Sequence, residues 1–148
     1  MTQTFAEVLI LIPSTLTTGY LMFVATVLQR VMNDLDEATF GRFVPLLLRK
    51  ATRSVYAVVS SSITFVAMIP YFIFYGFRHW WFTAGLVFFV LSSVAGKLLN
   101  LPIYSRIAAL GSDDVAPLKE ERRKLQSANW VRTLLCFVST VLMAIQFA

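Results

Sequence analysis

The side chains that could take part in chemistry in this sequence are polar residues at the ends of long apolar stretches. They are Gln29, Asn100, Asn129, Trp130 and Arg132. A guanidinium keeps its charge, so Arg132 could stabilise an oxyanion while the amides orient the group that carries it. A structural interpretation stands beside this one: Arg132 as an anchor at the membrane surface, Trp130 as an interfacial aromatic, and Asn100 with Pro102 as a helix stop. If Arg132 faces the interior, we expect Asn100, Gln29 or a ligand oxygen as its partner.

The remaining reactive side chains are few and scattered. His79 is the only histidine, and we expect it to be exposed in a turn. Glu7 is the only acid within an apolar stretch, and a proton-coupled exporter would need an acid deeper in the membrane. Cys136 is the only cysteine and is expected to be a small packed residue. The sequence has no metal-ligand spacing, catalytic triad or phosphate-binding loop, so we predict neither a metal site nor a cofactor.

The elements that must position these residues are membrane-spanning helices. The chain is 57% hydrophobic and 14% charged, with a mean hydropathy of +0.70. Four continuously apolar stretches can be drawn, at Phe5–Leu28, Ser54–Phe77, Trp80–Ala95 and Trp130–Phe147. About 20 apolar residues cross a bilayer as a helix, and the third stretch reaches that length if Lys97 snorkels and the helix extends to Leu101. Strands of a barrel would alternate in polarity. We therefore predict helices, in a single domain covering residues 1–148.

The positive charges are divided unequally between the connections. Five lie between the first and second stretches, and seven, counting Arg132, lie between the third stretch and the start of the fourth. Arg78 alone lies in the short turn between the second and third stretches. The positive-inside rule places both charged loops in the cytoplasm and both termini outside. We expect a bacterial inner (plasma) membrane protein. This topology also explains the net charge of +5 without nucleic acid as a partner.

Two further segments complete the predicted fold. Asp34 or Asp36 is a suitable N-cap for an amphipathic segment at the membrane surface, which Pro45 is expected to kink or divide. Pro102 is expected to end or bend the third helix. The last helix is expected to begin near Pro117 and to continue into the membrane. The prediction is an all-α integral membrane protein, an antiparallel four-helix bundle with an amphipathic interfacial segment before the second span.

Three short motifs resemble a known family. They are Val31-Met32 followed by Leu35 and Asp36, Asn100-Leu101-Pro102-Ile103, and Asn129-Trp130-Val131-Arg132-Thr133. In this order, and in a chain with four spans, they resemble the anthrone-oxygenase-like family of small membrane proteins. One position departs from the pattern, because Tyr104 stands where the family often has a second Asn. The resemblance implies a cofactor-free oxygenase of anthrone-like aromatic substrates, with Arg132 holding the substrate oxyanion and Asn100 and Asn129 orienting it.

The sequence leaves two classes of function open. The first is a non-catalytic membrane protein, either an accessory subunit or a binder of a lipid or another apolar ligand, which the lack of a convergent acid and base favours. The second is the oxygenase, whose weak point is the base, unless Asp34 or Asp36 folds under the bundle. The expected partners are membrane lipids, an aromatic or quinone-like molecule, and partner transmembrane subunits. The ligand-binding candidates are Arg132, Asn100, Trp130, Asn129 and Gln29.

Overall fold

Five helices make up the fold in the computed structural model, which describes residues 2–111 and 114–148. They are α1 (Gln3–Asp34), α2 (Glu37–Ala51), α3 (Val55–Tyr75), α4 (Trp80–Ala109) and α5 (Val115–Ile145). All except α2 are long and apolar enough to cross a membrane. The described residues contain no strand. The predicted all-α membrane fold is therefore confirmed.

The distribution of polarity is that of a membrane protein. Large apolar side chains cover the outside of the helices, and on α3 the exposed fractions of Val66, Ile69 and Ile73 are 68%, 63% and 73%. The interior, in contrast, buries hydroxyl side chains such as Ser14, Thr18 and Thr64. An apolar side chain is as stable in lipid as it is against another helix, so burying it gives little driving force for association. Close packing of small residues and hydrogen bonds between polar residues therefore hold membrane helices together.

Close packing is strongest between α4 and α5, where Gly85 faces the backbone of α5. A Cβ atom at Gly85 would lie 2.7 Å from the carbonyl oxygen of Ser139. Helix α1 packs against both α5 and α3, and α3 makes most of its contacts with α1. The α3–α4 turn is short and begins with Gly76, whose positive φ of 64° favours glycine. Helix α3 is thus the peripheral member of the bundle.

Two π-helical turns interrupt the α-helical spans. One is Val24–Leu28 in α1 and the other is Gly96–Asn100 in α4. Pro102, predicted to end or bend the third helix, does not end it, because α4 continues to Ala109. The N–H of Leu101 bonds to the carbonyl of Gly96, so the wider turn has already shifted the hydrogen-bond ladder before the proline, which has no N–H.

The amphipathic helix α2 closes the end of the bundle that carries the charged loops, called here the charged end. Asp36 caps α2 by accepting from the N–H of Thr39 at 2.9 Å, and the hydrogen bonds from Thr39 lower the pKa of Asp36. Phe40 and Val44 are fully buried against α4 and the start of α5. Pro45 does not divide the helix. Helix α5 begins at Val115, as expected from the position of Pro117.

Candidate functional site

Three of the five predicted site residues meet in the interior at the charged end. Gln29, Asn100 and Asn129 are 1%, 2% and 5% exposed and come from α1, α4 and α5. Asn100 Nδ2 donates to Asn129 Oδ1 at 2.7 Å, and Asn129 Nδ2 donates to Gln29 Oε1 at 3.0 Å. Hydrogen bonds between buried amides are a means of fixing membrane helices against one another.

The line of amides continues from Gln29 toward the surface. Gln29 Nε2 donates to Asn33 Oδ1 at 3.0 Å, and Asn33 Nδ2 donates to Gln126 Oε1 at 3.3 Å. We call these residues, Asn100, Asn129, Gln29, Asn33 and Gln126, the amide chain. Every donor points away from Asn100, so each bond polarises the next in the same sense. The chain therefore has a donor end at Gln126 and an acceptor end at Asn100.

The acceptor end of the amide chain is incomplete. Asn100 Oδ1 is buried and has no hydrogen-bond partner among the described residues. A buried polar atom without a partner costs roughly 1–3 kcal/mol. Because the neighbouring amide bonds increase the negative charge on this oxygen, it is the atom at this end of the bundle that most needs a donor.

The two π turns determine where Gln29 and Asn100 point from α1 and α4. Asn100 is the last residue of the turn in α4, and Gln29 directly follows the turn in α1. A π turn changes the angular position of the residues after it, and such turns occur frequently at functional sites. The presence of two at the same end of the bundle, each next to a buried amide, is the local structure that brings the site together.

Arg132 lies one helical turn along α5 from Asn129 and is half-buried. Its guanidinium packs over Gly96, where a Cβ atom would be 3.0 Å from Arg132 Nε. Of the partners expected for Arg132, Asn100 and Gln29 bond to Asn129 instead, and Arg132 Nε is buried without a partner in the described part of the chain. Ser92 Oγ donates to the Arg132 carbonyl at 2.8 Å, which fixes the backbone.

Trp130 does not join the other site residues. Its side chain is 37% exposed on the surface of α5, whereas Asn129 beside it is buried. Adjacent residues on a helix point about 100° apart, so both cannot face the same interior position. The position of Trp130 on the surface of α5 agrees with the interpretation of an interfacial aromatic, and its role in ligand binding stays a prediction.

A second polar cluster lies at the opposite end of the bundle and was not predicted. Glu7 is 1% exposed, and its Oε1 accepts from Tyr71 Oη at 2.7 Å and from Gln3 Nε2 at 3.2 Å. His79 Nδ1 lies 2.6 Å from the same oxygen. The expectation that His79 is simply exposed is wrong, because Glu7 binds it and its side chain is only 34% exposed. We call Glu7, Gln3, Tyr71 and His79 the outer cluster, since the predicted topology places this end of the bundle outside. It connects α1 to α3 and to the α3–α4 turn.

Only a weak signal for the outer cluster exists in the sequence. Glu7 is the one acid within an apolar stretch, and His79 is the one histidine. Glu7 lies near the start of the first span, and His79 lies just before the start of the third. In an antiparallel bundle the first and third spans begin on the same side of the membrane, so the two residues lie on one side. Their direct contact, however, depends on how α1 packs against α3.

The chemistry available in the described residues is hydrogen bonding and charge stabilisation. Across residues 2–111 and 114–148, no three His, Cys, Asp or Glu side chains are grouped to hold a metal ion. Cys136 is buried, and its Sγ is 3.2 Å from Thr18 Oγ1. The amide chain and Arg132 could fix a ligand that carries both a donor and an acceptor.

Comparison of the chain with models of known protein families, with curated proteins and with solved structures gave no match. What can be stated about its class therefore rests on the four membrane-length helices, which make it a multi-pass membrane protein.

Proposed function

We propose that this protein binds an apolar aromatic small molecule at the charged end of its bundle, without transforming it. The observation that carries the proposal is the buried Asn100 Oδ1 that lacks a donor. It lies one helical turn from Gly96, over which the half-buried guanidinium of Arg132 packs. A ligand hydroxyl that donates to Asn100 would remove the cost of this unpaired oxygen. Binding would then complete a hydrogen-bond chain that is otherwise open at one end.

The polar groups on the protein define the ligand that fits them. Asn100 Oδ1 needs a donor, and Arg132 Nε needs an acceptor. Gly96 and Asn100 are one turn apart on α4, as are Asn129 and Arg132 on α5. Because Gly96 packs against Arg132 and Asn100 bonds to Asn129, the unpaired Asn100 Oδ1 and Arg132 Nε belong to adjacent helical turns. A flat, apolar molecule meets both if it carries a carbonyl and a hydroxyl that is too far from the carbonyl to bond to it, and such a molecule can reach the site through the membrane. The proposed class is a hydroxylated aromatic ketone or a quinone-like compound.

A pair of matched ligands tests this proposal. We expect the purified protein in mild detergent to bind 2-hydroxyanthraquinone, whose hydroxyl has no internal hydrogen bond, more tightly than anthraquinone, by roughly tenfold for one hydrogen bond, when measured by equilibrium dialysis. Asn100→Ala removes the acceptor and should abolish this preference while leaving the binding of the parent compound unchanged. Equal affinity of the wild-type protein for the two compounds would contradict the proposal.

The oxygenase suggested by the family resemblance is the alternative. The chemistry balances, because an anthrone and O₂ give an anthraquinone and water once a base has removed a proton. Arg132 could hold the resulting oxyanion. The two carboxylates considered as bases, Asp34 and Asp36, are exposed, and Asp36 is occupied in capping α2. Oxygen consumption with an anthrone, lowered by Arg132→Ala, would favour catalysis over simple binding.

An accessory subunit is the remaining non-catalytic candidate. Its support is the strong exposure of α3, which leaves an apolar helix face available to a partner helix. Mass spectrometry of the protein purified in mild detergent separates the two possibilities. A bound small molecule supports the ligand-binding role, and a co-purifying membrane protein in constant ratio supports the subunit.

A further inference from the structure

We propose that the groove between α4 and α5 at the charged end is a binding site for one anionic phospholipid of the phosphatidylglycerol type. The groove has a volume of about 460 Å³ and opens on the surface of the bundle. It is separate from the amide chain and from the ligand site proposed above. Its chemistry changes along its length, from apolar to basic.

The apolar part of the groove suits a fatty acyl chain. It is lined by Leu98, Leu99, Pro102, Ile103, Ala128 and Val131. Leu98 and Val131 are 69% and 44% exposed, so this surface is open to the hydrocarbon of the membrane. The first methylenes of an acyl chain can therefore lie in it.

The other part of the groove is a basic rim formed by Arg106, Arg123 and Lys124. Glu121, which is 6% exposed, bonds to Arg106 Nη2 at 2.9 Å and to Lys124 Nζ at 3.0 Å and so holds both in place. Arg123 has no carboxylate partner in the described part of the chain. Its guanidinium is therefore available to a phosphate, in the bidentate geometry that arginine favours.

The charges at the rim indicate which headgroup fits. The three basic side chains face two carboxylates, Glu120 and Glu121, both of which bind Lys124. One positive charge remains uncompensated, and the single negative charge of a phosphatidylglycerol phosphate neutralises it. A phosphatidylcholine headgroup would bring its own cation and gain less from the rim.

The distance between the two parts agrees with the dimensions of a lipid. Arg123 and Val131 are eight residues apart on α5, a rise of about 12 Å at 1.5 Å per residue. This separation spans the step from a phosphate, through the glycerol, to the upper acyl chain. The long cytoplasmic extension of α5 predicted from Pro117 thus carries the rim, and the membrane part of the helix carries the floor.

Native mass spectrometry tests the site with protein reconstituted in equal amounts of phosphatidylglycerol and phosphatidylcholine. We expect the wild-type protein to retain phosphatidylglycerol preferentially by several-fold. Arg123→Gln should remove the preference. The matched control is Arg53→Gln, which removes one exposed positive charge at the same end of the bundle but outside the groove and should retain it. Equal loss in both variants would show general surface attraction and overturn the site.

The apolar part of the groove, its floor, requires a separate pair of variants. Val131→Trp fills the groove and should reduce lipid retention, whereas Val138→Trp, two turns along the exposed side of α5, should not. Retention that survives Val131→Trp would contradict the groove. Displacement of the lipid by soluble glycerol 3-phosphate would assign the rim to a free phosphate compound and overturn the lipid. The lipid site shares no lining residue with the amide chain or with Arg132, so a failure of the aromatic-ligand proposal does not affect this result.

Discussion

Asn129 occupies a central position in the amide chain, where it accepts from Asn100 and donates to Gln29. Substituting such a residue lowers stability because its two buried hydrogen-bond partners lose their bonds. The end residue Gln126, in contrast, accepts a single bond from Asn33 near the surface. The two positions therefore separate the effect of the buried bonds from the effect of losing an amide.

Asn129→Ala should lower the free energy of unfolding by about 2 kcal/mol or more, because it leaves Asn100 Nδ2 and Gln29 Oε1 buried without partners. Unfolding in mixed micelles with increasing SDS measures the change. Gln126→Ala serves as the control and should cost well under half as much, since water can replace its bond. If the two losses are the same, the amide chain does not stabilise the interior.

The outer cluster makes a second prediction at this scale. Tyr71→Phe removes the phenol that donates to Glu7 but keeps the ring beside Phe82, whose centroid is 5.2 Å away. Glu7→Ala removes the acceptor. We expect a coupling energy of about 1 kcal/mol or more in a double-mutant cycle of these substitutions, measured by SDS unfolding. Additive effects would mean that Glu7 and Tyr71 stabilise the protein independently.

The sequence identifies the residues of the site better than their contacts. Gln29, Asn100 and Asn129 could be predicted from the positions of buried amides at the ends of apolar stretches. The bonding of Asn100 to Asn129 and not to Arg132 could not, because it depends on how the π turns rotate the helices. Glu7 and His79 are 72 positions apart. Their contact is a product of tertiary packing, which no local pattern records.

At the scale of the helices, hydropathy predicts the spans because the membrane imposes their length. The ends are less predictable, since α4 continues past Pro102 to Ala109 and α1 reaches Asp34. A π turn needs only one additional residue in a helical turn, and composition does not reveal it. The close approach of α4 to the backbone of α5 at Ser139 likewise requires one residue, Gly85, which has no side chain.

Gly85→Ala should destabilise the protein by about 1–3 kcal/mol, because the added methyl meets the backbone of α5 at Ser139 and the side chain of Met143. Gly19→Ala is the matched control: nothing lies within 4 Å of its Cβ position, and alanine favours the helix. Thermal unfolding in detergent should show a lower Tm for Gly85→Ala and an unchanged or higher Tm for Gly19→Ala. A tolerated Gly85→Ala would contradict the close approach of α4 and α5.

At the scale of the whole molecule, the arrangement of charge predicts orientation. The two charged loops lie at one end of the bundle and the α3–α4 turn lies at the other, as an antiparallel order of four spans requires. The side of the membrane that each end faces is a prediction from the positive-inside rule. It can be tested with the single native cysteine removed.

In a Cys136→Ala background, Arg78→Cys should react with a membrane-impermeant maleimide in intact cells, because the turn is predicted to face outward. Arg53→Cys should react only after permeabilisation. Gel-shift of the labelled protein measures both. The reverse pattern would place the termini and the turn in the cytoplasm and overturn the predicted topology.

The polar face of α1 also has a consequence for the order in which the protein is made. It extends from Glu7 to Asn33, about 39 Å along the helix, and several of its partners belong to α5: Thr18 bonds to Thr140 at 2.7 Å, and Gln29 accepts from Asn129. Helix α1 thus depends on a span that is made after it. Until α5 is complete, α1 exposes hydroxyls and amides to lipid, so the bundle can assemble only after α5 has been made, and chains that stop short of α5 leave a substrate for quality-control proteases.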